Sequence, residues 1–152
     1  MSAQDSVRLS LRLLTTGRFI EREVDALMRS RFDSTIARFD FLSALDRHGA
    51  LTLGEVSQYL LVSNGNVTQL RTRLEADGLI EIEADANDRR VQRVRLTKAG
   101  ESVFKRMAKA HAACVDSLLV GLTQADKQAL MRLLDGAKAS MRRALTKGDA
   151  AA

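Results

Sequence analysis

The 152-residue sequence contains no proline and no tryptophan, and its only cysteine is Cys114. A single cysteine excludes an internal disulfide, and a chain without proline is easily accommodated in helices, whose interiors proline breaks. No apolar run approaches the roughly 18 residues of a membrane span. The N-terminal stretch MSAQDSVRLSLRLL scatters arginines among its apolar residues and lacks a small-residue cleavage site, which disfavours a signal peptide. These absences predict a soluble, cytoplasmic protein without membrane contact.

Motifs for catalysis and for metal binding are also missing. The sequence contains no serine–histidine–acid set, glycine-rich phosphate loop or paired-carboxylate motif, so we do not expect an enzyme or a cofactor. Its two histidines, His48 and His111, lie far from each other and from Cys114, which does not indicate a metal site. What the chain does have is 45% hydrophobic residues and a net charge of +5. That composition permits a sizeable core and an anionic partner.

Apolar residues recur at helical spacing in six segments. Thr52 and Glu55 form a capping box that begins the third helix, Ser63 is the expected N-cap of the fourth, and Thr123 with Asp126 begins the last. The predicted helices run from about Val7 to Arg31, Thr35 to His48, Thr52 to Leu60, Val62 to Asp77, Thr97 to Val120, and from Thr123 onward.

Two short segments, LIEIE and QRVRL, alternate apolar and charged residues with the period of two that is typical of half-buried strands. We predict that they pair as a hairpin in which opposite charges face each other across the strands, a contribution of roughly 0.2–1 kcal/mol for each pair. This structural interpretation is the favoured one for Arg93 and Arg95. The expected pairs are Ile82 with Val94, Ile80 with Leu96, Glu83 with Arg93 and Glu81 with Arg95.

The order of elements predicts a mainly α fold: a winged helix-turn-helix with a small β-hairpin wing, flanked by N- and C-terminal dimerisation helices. Residues 34–96 form the predicted DNA-binding domain, and residues 1–33 and 97–152 form the helical dimerisation region. The flanking helices hold more leucine than one such unit covers, so we expect a homodimer.

The fourth helix is the candidate recognition helix. Its expected buried face is Val67, Leu70 and Leu74, and its outer face has no acidic residue before Glu75. Asparagine, glutamine and threonine suit base edges in the major groove, and arginine suits guanine or phosphate. An ordinary solvated face is the alternative, although such faces usually include glutamate and lysine. The predicted contacts from this helix are Ser63, Asn64, Asn66, Thr68, Gln69, Arg71, Thr72 and Arg73.

The loop between the strands, ADANDRRV, places Arg89 and Arg90 at the wing tip. A projecting hairpin with arginines at its end suits the minor groove of double-stranded DNA, where the potential is most negative. A solvated loop without a partner is the alternative for this tip. For the whole module, the alternative is a winged-helix protein that binds another protein and not DNA.

These motifs resemble those of the MarR family of regulators. The resemblance covers about residues 35–100 and rests on LTLGEVSQYL, on VTQLRTRLEADGLI and on DRR followed by LTKAG. It implies a dimeric winged-helix transcription factor, most often a repressor, that a small molecule releases from a palindromic operator. Asp88 and Arg90 match the family's wing signature, which implies that Arg90 enters the minor groove and that Asp88 braces the wing, with Arg73 as a candidate partner.

In that family, effectors bind between the dimerisation helices and the DNA-binding lobe. Arg38 is the candidate here, because the helix dipole disfavours a cation in the first turn of its helix. Its counter-anion could be an effector carboxylate or, as we favour, Glu21 or Glu23. His111 could line the same pocket or simply pack. The segment TIARFDFLSAL resembles a branch linked to aromatic acids and their coenzyme A thioesters. For Cys114 we expect a buried structural thiol and not a redox sensor.

Overall fold

The computed structural model describes residues 3–60 and 64–149, and in these residues it contains six helices and one two-stranded antiparallel hairpin. The predicted order of elements is confirmed. The start of the fourth helix at Val62 and Ser63 lies outside the described residues. The elements are α1 (Ala3–Phe32), α2 (Ile36–His48), α3 (Leu53–Leu60), α4 (Asn64–Ala76), β1 (Ile80–Ala84), β2 (Gln92–Leu96), α5 (Lys98–Leu118) and α6 (Gln124–Asp149).

The chain divides into two compact units, residues 1–115 and residues 116–152. The first unit contains α1 to β2 and most of α5, and the second contains the end of α5 and all of α6. The functional division predicted from the sequence, residues 34–96 against the flanking helices, stays a prediction.

The capping signals in the sequence begin the helices where they were expected. In the capping box of α3, the Thr52 amide donates to Glu55 Oε2 at 2.8 Å, and the Glu55 amide donates to Thr52 Oγ1 at 3.2 Å. The Thr52 amide is also the largest cause that lowers the pKa of Glu55. At α6 the Thr123 amide donates to Asp126 Oδ2 at 3.0 Å and the Asp126 amide donates back at 3.2 Å. Each box satisfies two amides that have no partner within the helix.

The core of the first unit is built around α2. Phe41 and Leu42 of this helix are fully buried, as the sequence predicted, and Leu45 is nearly so. The other elements of the unit each contribute apolar side chains to the same cluster: Val24 and Met28 from α1, Val56 from α3, Val67 and Leu74 from α4, Ile80 and Val94 from the strands, and Phe104 and Met107 from α5.

The hairpin has the predicted register throughout: Ile80 is opposite Leu96, Glu81 opposite Arg95, Ile82 opposite Val94 and Glu83 opposite Arg93. In the loop before α3, Leu51 forms an isolated antiparallel bridge with Val94 of β2. The two residues exchange backbone hydrogen bonds of 3.0 and 2.8 Å. The base of the wing is therefore joined to the segment that leads into α3.

The passage from α4 to α5 is held by close backbone contacts. Thr97 Oγ1 donates to the Gly78 carbonyl at 2.7 Å, and the Thr97 amide donates to the Leu79 carbonyl at 3.1 Å. The Gly100 amide donates to Thr97 Oγ1 at 3.0 Å, so Thr97 also caps α5. A side chain at Gly100 would place its Cβ 1.9 Å from the Leu79 carbonyl oxygen. The absence of that Cβ allows α5 to lie directly against the start of β1.

Two helices expose apolar faces. In the first unit, α1 exposes Val7, Leu9, Leu11, Leu14 and Phe19. In the second unit, α6 exposes Leu130, Met131, Leu133, Leu134, Met141 and Leu145. Among the described residues, no helix is both long enough and apolar enough to traverse a bilayer. Cys114, expected to be buried, is half-buried and packs against the edge of the core.

Candidate nucleic-acid interface

The helix α4 has the two faces that its sequence predicted. Val67 and Leu74 are fully buried, and Leu70 is half-buried at the edge of the core. The opposite face exposes Gly65, Thr68, Gln69 and Thr72. Ser63 and the side chain of Asn64 lie outside the described part of the chain. These four outer positions carry no charged side chain, and the described part of α4 has no acidic residue before Glu75.

The two arginines of α4 are placed differently. Arg71 pairs with Glu75 one turn later at 3.4 Å, and its side chain is only 25% exposed. Arg73 is exposed and lines a shallow recess of about 190 Å³ together with Asn66, Gln69 and Ala37. The predicted contacts Asn66, Gln69 and Arg73 are therefore brought together. The Arg71 guanidinium instead contacts the next turn of its own helix.

The wing tip is shaped by two aspartates that accept hydrogen bonds from the backbone. Asp85 Oδ1 accepts from the Asn87 amide at 2.8 Å and from the Asp88 amide at 3.2 Å. Asp88 Oδ1 accepts from the Arg90 amide at 3.0 Å. Such local bonds hold a turn without regular secondary structure. The tip is therefore an ordered turn that presents Arg89 and Arg90.

Both arginines at the tip are exposed, and the Arg90 side chain is 92% exposed. Arg90 Nε donates to Asp88 Oδ1 at 3.3 Å, so the Asp88 carboxylate accepts from both the backbone amide and the side chain of Arg90. The suggested brace between Asp88 and Arg73 is wrong. Within residues 3–60 and 64–149, the Arg73 side chain makes no hydrogen bond or ion pair, and the side-chain ion pair of Asp88 is with Arg90 of its own turn.

On β2, Arg93 has different partners from those expected. The sequence predicted a pair with Glu83, but Arg93 Nε donates to Asp85, and Arg93 Nη1 donates to Glu55 Oε2 at 3.3 Å and to the Ala50 carbonyl at 3.3 Å. Glu83 instead pairs with Arg95 at 2.9 Å. The prediction failed because a long arginine side chain reaches beyond the residue directly opposite it.

Arg95 has the expected partner and one more. It pairs with Glu81 at 2.8 Å as well as with Glu83, so its contacts stay within the two strands. The contacts of Arg93 leave the hairpin and reach the start of α3. The side-chain hydrogen bond from Arg93 is the largest cause that lowers the pKa of Asp85 to about 2.

The candidate effector residue Arg38 lies in the first turn of α2, as predicted, but its counter-anion is neither Glu21 nor Glu23. Arg38 Nη2 pairs with Asp77, which directly follows α4. Glu23 is occupied by its neighbour Arg22 at 3.1 Å. The Arg38 Nε is buried and has no hydrogen-bond partner among the described residues. Arg38 and Asp77 also line a recess of about 560 Å³.

That recess is rich in arginine. Its other lining side chains include Arg29 and Arg31 from the end of α1 and Arg106 from α5. Four guanidinium groups and two carboxylates, those of Asp33 and Asp77, therefore share the space. The excess of positive charge suits an anionic occupant.

His111 belongs to a different surrounding. Its ring packs on Phe39, with ring centroids 4.8 Å apart. Partial burial raises the pKa of the nearby Asp40, although that side chain keeps contact with solvent, and the charge of His111 opposes the rise. No hydrogen bond or ion pair joins His111 to Arg38 in the described part of the chain. The contact with Phe39 supports the interpretation that His111 is a packing residue. In the residues described, no group of three potential ligands is placed to hold a metal ion.

Three acidic residues of this region were not singled out as site residues by their sequence pattern: Glu55, Asp77 and Asp85. Glu55 was identified as a capping residue, and its second contact with Arg93 has no sequence signal. Asp77 stands beside Gly78 at the end of a helix, where an acid is disfavoured by the dipole. That misfit was the one available indication that Asp77 has a cationic partner.

Comparison with known proteins gives a consistent result. Residues 32–91 match the family model described as MarR family. The chain is 28% identical over 105 residues to the HTH-type transcriptional repressor IacR of Pseudomonas putida, covering 69% of this chain and 63% of that protein. It is 35% identical over 77 residues to the transcriptional activatory protein BadR of Rhodopseudomonas palustris, covering 49% and 44%. The chain thus spans less than two thirds of each relative.

The fold likeness extends further along the chain. A solved MarR family transcriptional regulator from Silicibacter pomeroyi superposes with a TM-score of 0.78 and 28% sequence identity. The superposition covers 93% of this chain and 99% of the other. The likeness to that regulator therefore includes helices outside the segment matched by the family model.

Proposed function

We propose that the chain is a MarR family transcriptional regulator that binds a palindromic operator in double-stranded DNA as a homodimer, because residues 32–91 match that family's model and a solved MarR family regulator at 28% identity shares its fold. In this proposal it acts as a repressor and is released by a small aromatic acid or its coenzyme A thioester. One observation carries the DNA-binding part: an exposed, acid-free face of α4 stands in the same unit as a wing whose tip presents two exposed arginines.

The two surfaces suit the two grooves of DNA. Thr68, Gln69 and Thr72 supply hydrogen-bonding side chains of the kind that read base edges in a major groove. Arg89 and Arg90 supply positive charge for the adjacent minor groove. The winged helix-turn-helix places a helix and a hairpin side by side for this division of contacts.

A homodimer is supported by the apolar faces of α1 and α6. Leu133 is 65% exposed and Leu145 is 71% exposed, and such side chains are usually covered in a folded assembly. A twofold dimer would place two copies of α4 on half-sites about one duplex turn, ~34–36 Å, apart. This spacing is the physical reason for proposing a palindromic operator.

The effector part of the proposal rests on Arg38 and its recess. Asp77 already holds Arg38 with a carboxylate, which is the chemical group that an aromatic acid would bring. An effector carboxylate that takes Arg38 displaces Asp77, and Asp77 directly follows α4. The adjacent Arg29, Arg31 and Arg106 would favour the phosphates of a thioester over the acid alone.

The DNA-binding proposal is tested by gel shift with the DNA upstream of the protein's own gene, at rising salt. Binding through phosphates must weaken steeply as salt rises. We expect Arg90→Ala to lower affinity about tenfold or more, a loss of roughly 1–3 kcal/mol, while the dimer stays intact. Lys105→Ala, which removes one exposed charge from α5, is the matched control and should bind as the wild type does.

The results separate the possibilities clearly. If Arg90→Ala binds as tightly as the wild type, the role of the wing is refuted. If the wild type binds neither specific nor random DNA at low salt, the alternative, a protein-binding winged helix, replaces the proposal.

The effector proposal is tested with benzoate and benzoyl-coenzyme A as probes on the preformed complex with DNA. We expect at least one probe to release the DNA, and Arg38→Ala to abolish that release while it leaves DNA affinity within a few fold. Arg22→Ala, which removes an arginine outside the recess, is the control and should respond like the wild type. Release that is equal in all three proteins would contradict the role of Arg38.

A further inference from the structure

We propose that Arg93 is a positioning residue for DNA binding: it fixes the wing against the start of α3 and so sets where the wing tip stands relative to α4. This inference rests on the proposed DNA-binding function. It replaces the expectation that Arg93 only joins the two strands of the hairpin. Arg93 itself lies on β2, in the second strand pair below the loop that carries Arg89 and Arg90.

The contacts of Arg93 extend beyond the hairpin. One guanidinium group contacts three separate parts of the chain: Asp85 at the end of the first strand, the Ala50 carbonyl before α3, and Glu55 in the first turn of α3. Its side chain is 31% exposed, so the group is partly shielded from solvent. A planar guanidinium can hold several acceptors at once in fixed directions, which a single ammonium cannot do.

Both carboxylates that Arg93 contacts are themselves fixed to the backbone. Glu55 Oε2 accepts from the Thr52 amide at 2.8 Å as the capping partner of α3. Asp85 accepts from the amides of Asn87 and Asp88, which begin the turn at the wing tip. Arg93 therefore connects two rigid anchors, one at the start of α3 and one at the turn that carries the arginines.

The hairpin is also attached through its backbone to the segment before α3. Leu51 and Val94 exchange two backbone hydrogen bonds next to Arg93. These two bonds hold the hairpin to the segment before α3 at a single residue pair. The Arg93 contacts add a second attachment to this segment and to α3, and they extend toward the tip through Asp85, so we expect them to limit movement of the tip.

Arg95 is the matched control. It is on the same strand two residues later, it also forms two ion pairs, and both of its partners, Glu81 and Glu83, are within the hairpin. Replacing Arg95 removes the same charge from the same face but no contact with α3. The two substitutions therefore separate the joining of the wing to α3 from the general charge of the hairpin.

The experiment compares Arg93→Ala with Arg95→Ala in the full chain, by DNA affinity over a salt series. We expect Arg93→Ala to lower affinity about tenfold and Arg95→Ala to lower it by less than threefold. The slope of log affinity against log salt should be unchanged in Arg93→Ala, because no phosphate contact is lost. In Arg90→Ala the slope should fall by about one.

A second readout works without DNA. Amide hydrogen exchange of the wing tip should accelerate in Arg93→Ala and stay as in the wild type in Arg95→Ala, while α5 is unaffected in both. Hydrogen exchange tests the positioning role even if the wild type does not bind DNA. Failure of the wild type to bind DNA would contradict the proposed function and not the positioning role. Should Arg93→Ala fail to fold, Arg93→Lys keeps the charge but not the three directed contacts, and it should show the same changes to a smaller extent.

Several outcomes would overturn the inference. Equal loss of affinity in the two alanine variants would mean that only charge matters. A reduced salt slope in Arg93→Ala would mean that Arg93 contacts phosphate directly. Wing amides that exchange at the wild-type rate in Arg93→Ala would mean that Leu51 and Val94 hold the wing without its help.

Discussion

Four arginines within seven residues of the wing have three different surroundings. Arg89 and Arg90 project from the tip, Arg93 reaches out of the hairpin to Glu55, and Arg95 stays between the strands. All four carry the same charge, so composition does not distinguish them. What separates them is the position of each on a turn or strand and the acids within reach of its side chain.

At this scale the sequence predicted some contacts and missed others for a definite reason. The pair between Glu81 and Arg95 follows from register alone, because the two residues face each other on one side of the sheet. The partners of Arg93 and Arg38 come from elements distant in the chain: Arg93 reaches Glu55, and Arg38 reaches Asp77. Such contacts depend on how helices and strands are arranged in space, which local patterns do not specify.

Asp85 gives a prediction for acid solution. Its pKa is lowered from 3.8 to about 2, first by the Arg93 side chain and then by the amides of Asn87 and Asp88. A carboxyl whose pKa is lower in the folded state stabilises the fold above its unfolded pKa, and this contribution is lost as pH falls toward the folded value. Between about pH 4 and pH 2 the stability of the wild type should therefore decline partly through this group.

The measurement is the thermal midpoint as a function of pH for the wild type and for Asp85→Asn. The variant should melt at a lower temperature near pH 6 and show a shallower decline between about pH 4 and pH 2. Asp46→Asn, a change at an exposed helix residue, should follow the wild-type curve. Parallel curves for the wild type and Asp85→Asn would contradict the assignment.

At the scale of elements, the helices and the hairpin were largely predictable because their signals are local. The capping boxes Thr52–Glu55 and Thr123–Asp126 set helix starts, and the alternation in β1 and β2 set the register. Helix α1 extends to Ala3, beyond the predicted start near Val7. The predicted start was the first residue of the apolar pattern. No residue before it ends a helix, so the helix continues further toward the N-terminus.

The junction of α5 with β1 gives a prediction for one glycine. Gly100→Ala would place a methyl group 1.9 Å from the Leu79 carbonyl oxygen, which is backbone and cannot rotate away. The helix must then shift away from β1 and weaken the hydrogen bonds of Thr97. We expect a loss of about 2–4 kcal/mol in the free energy of unfolding, as for other severe steric conflicts.

Chemical denaturation measures this loss directly, and Gly136→Ala serves as the control. A Cβ at Gly136, in α6, meets nothing within 4 Å, and alanine favours a helix interior. The control should therefore be neutral or slightly more stable. If Gly100→Ala is equally stable, the close approach at Leu79 is relieved at little cost and the explanation for this glycine is wrong.

At the scale of the whole molecule, we predict how one substitution in α6 changes assembly. Leu134 lies on the exposed apolar face of α6, which the proposed homodimer covers. Leu134→Glu should shift the protein toward monomer in sedimentation experiments and lower DNA affinity by tenfold or more, because each half-site then binds alone. Gln128→Glu adds the same charge at an exposed polar position of α6 and should leave both properties unchanged. A dimer that persists in Leu134→Glu would remove this face from the interface.

The pair between Arg38 and Asp77 has a further consequence for the whole molecule. A cation in the first turn of α2 and an anion just past the end of α4 are each in the less favourable place relative to a helix dipole. The ion pair between them offsets the unfavourable interaction of each charge with its helix dipole. A competitor for Arg38 would leave the Asp77 carboxylate without its partner, beside the carbonyl groups at the end of α4, the proposed recognition helix. The repulsion would act at the end of α4, where the helix could unwind or move. Binding of an anion at α2 would therefore destabilise the end of α4.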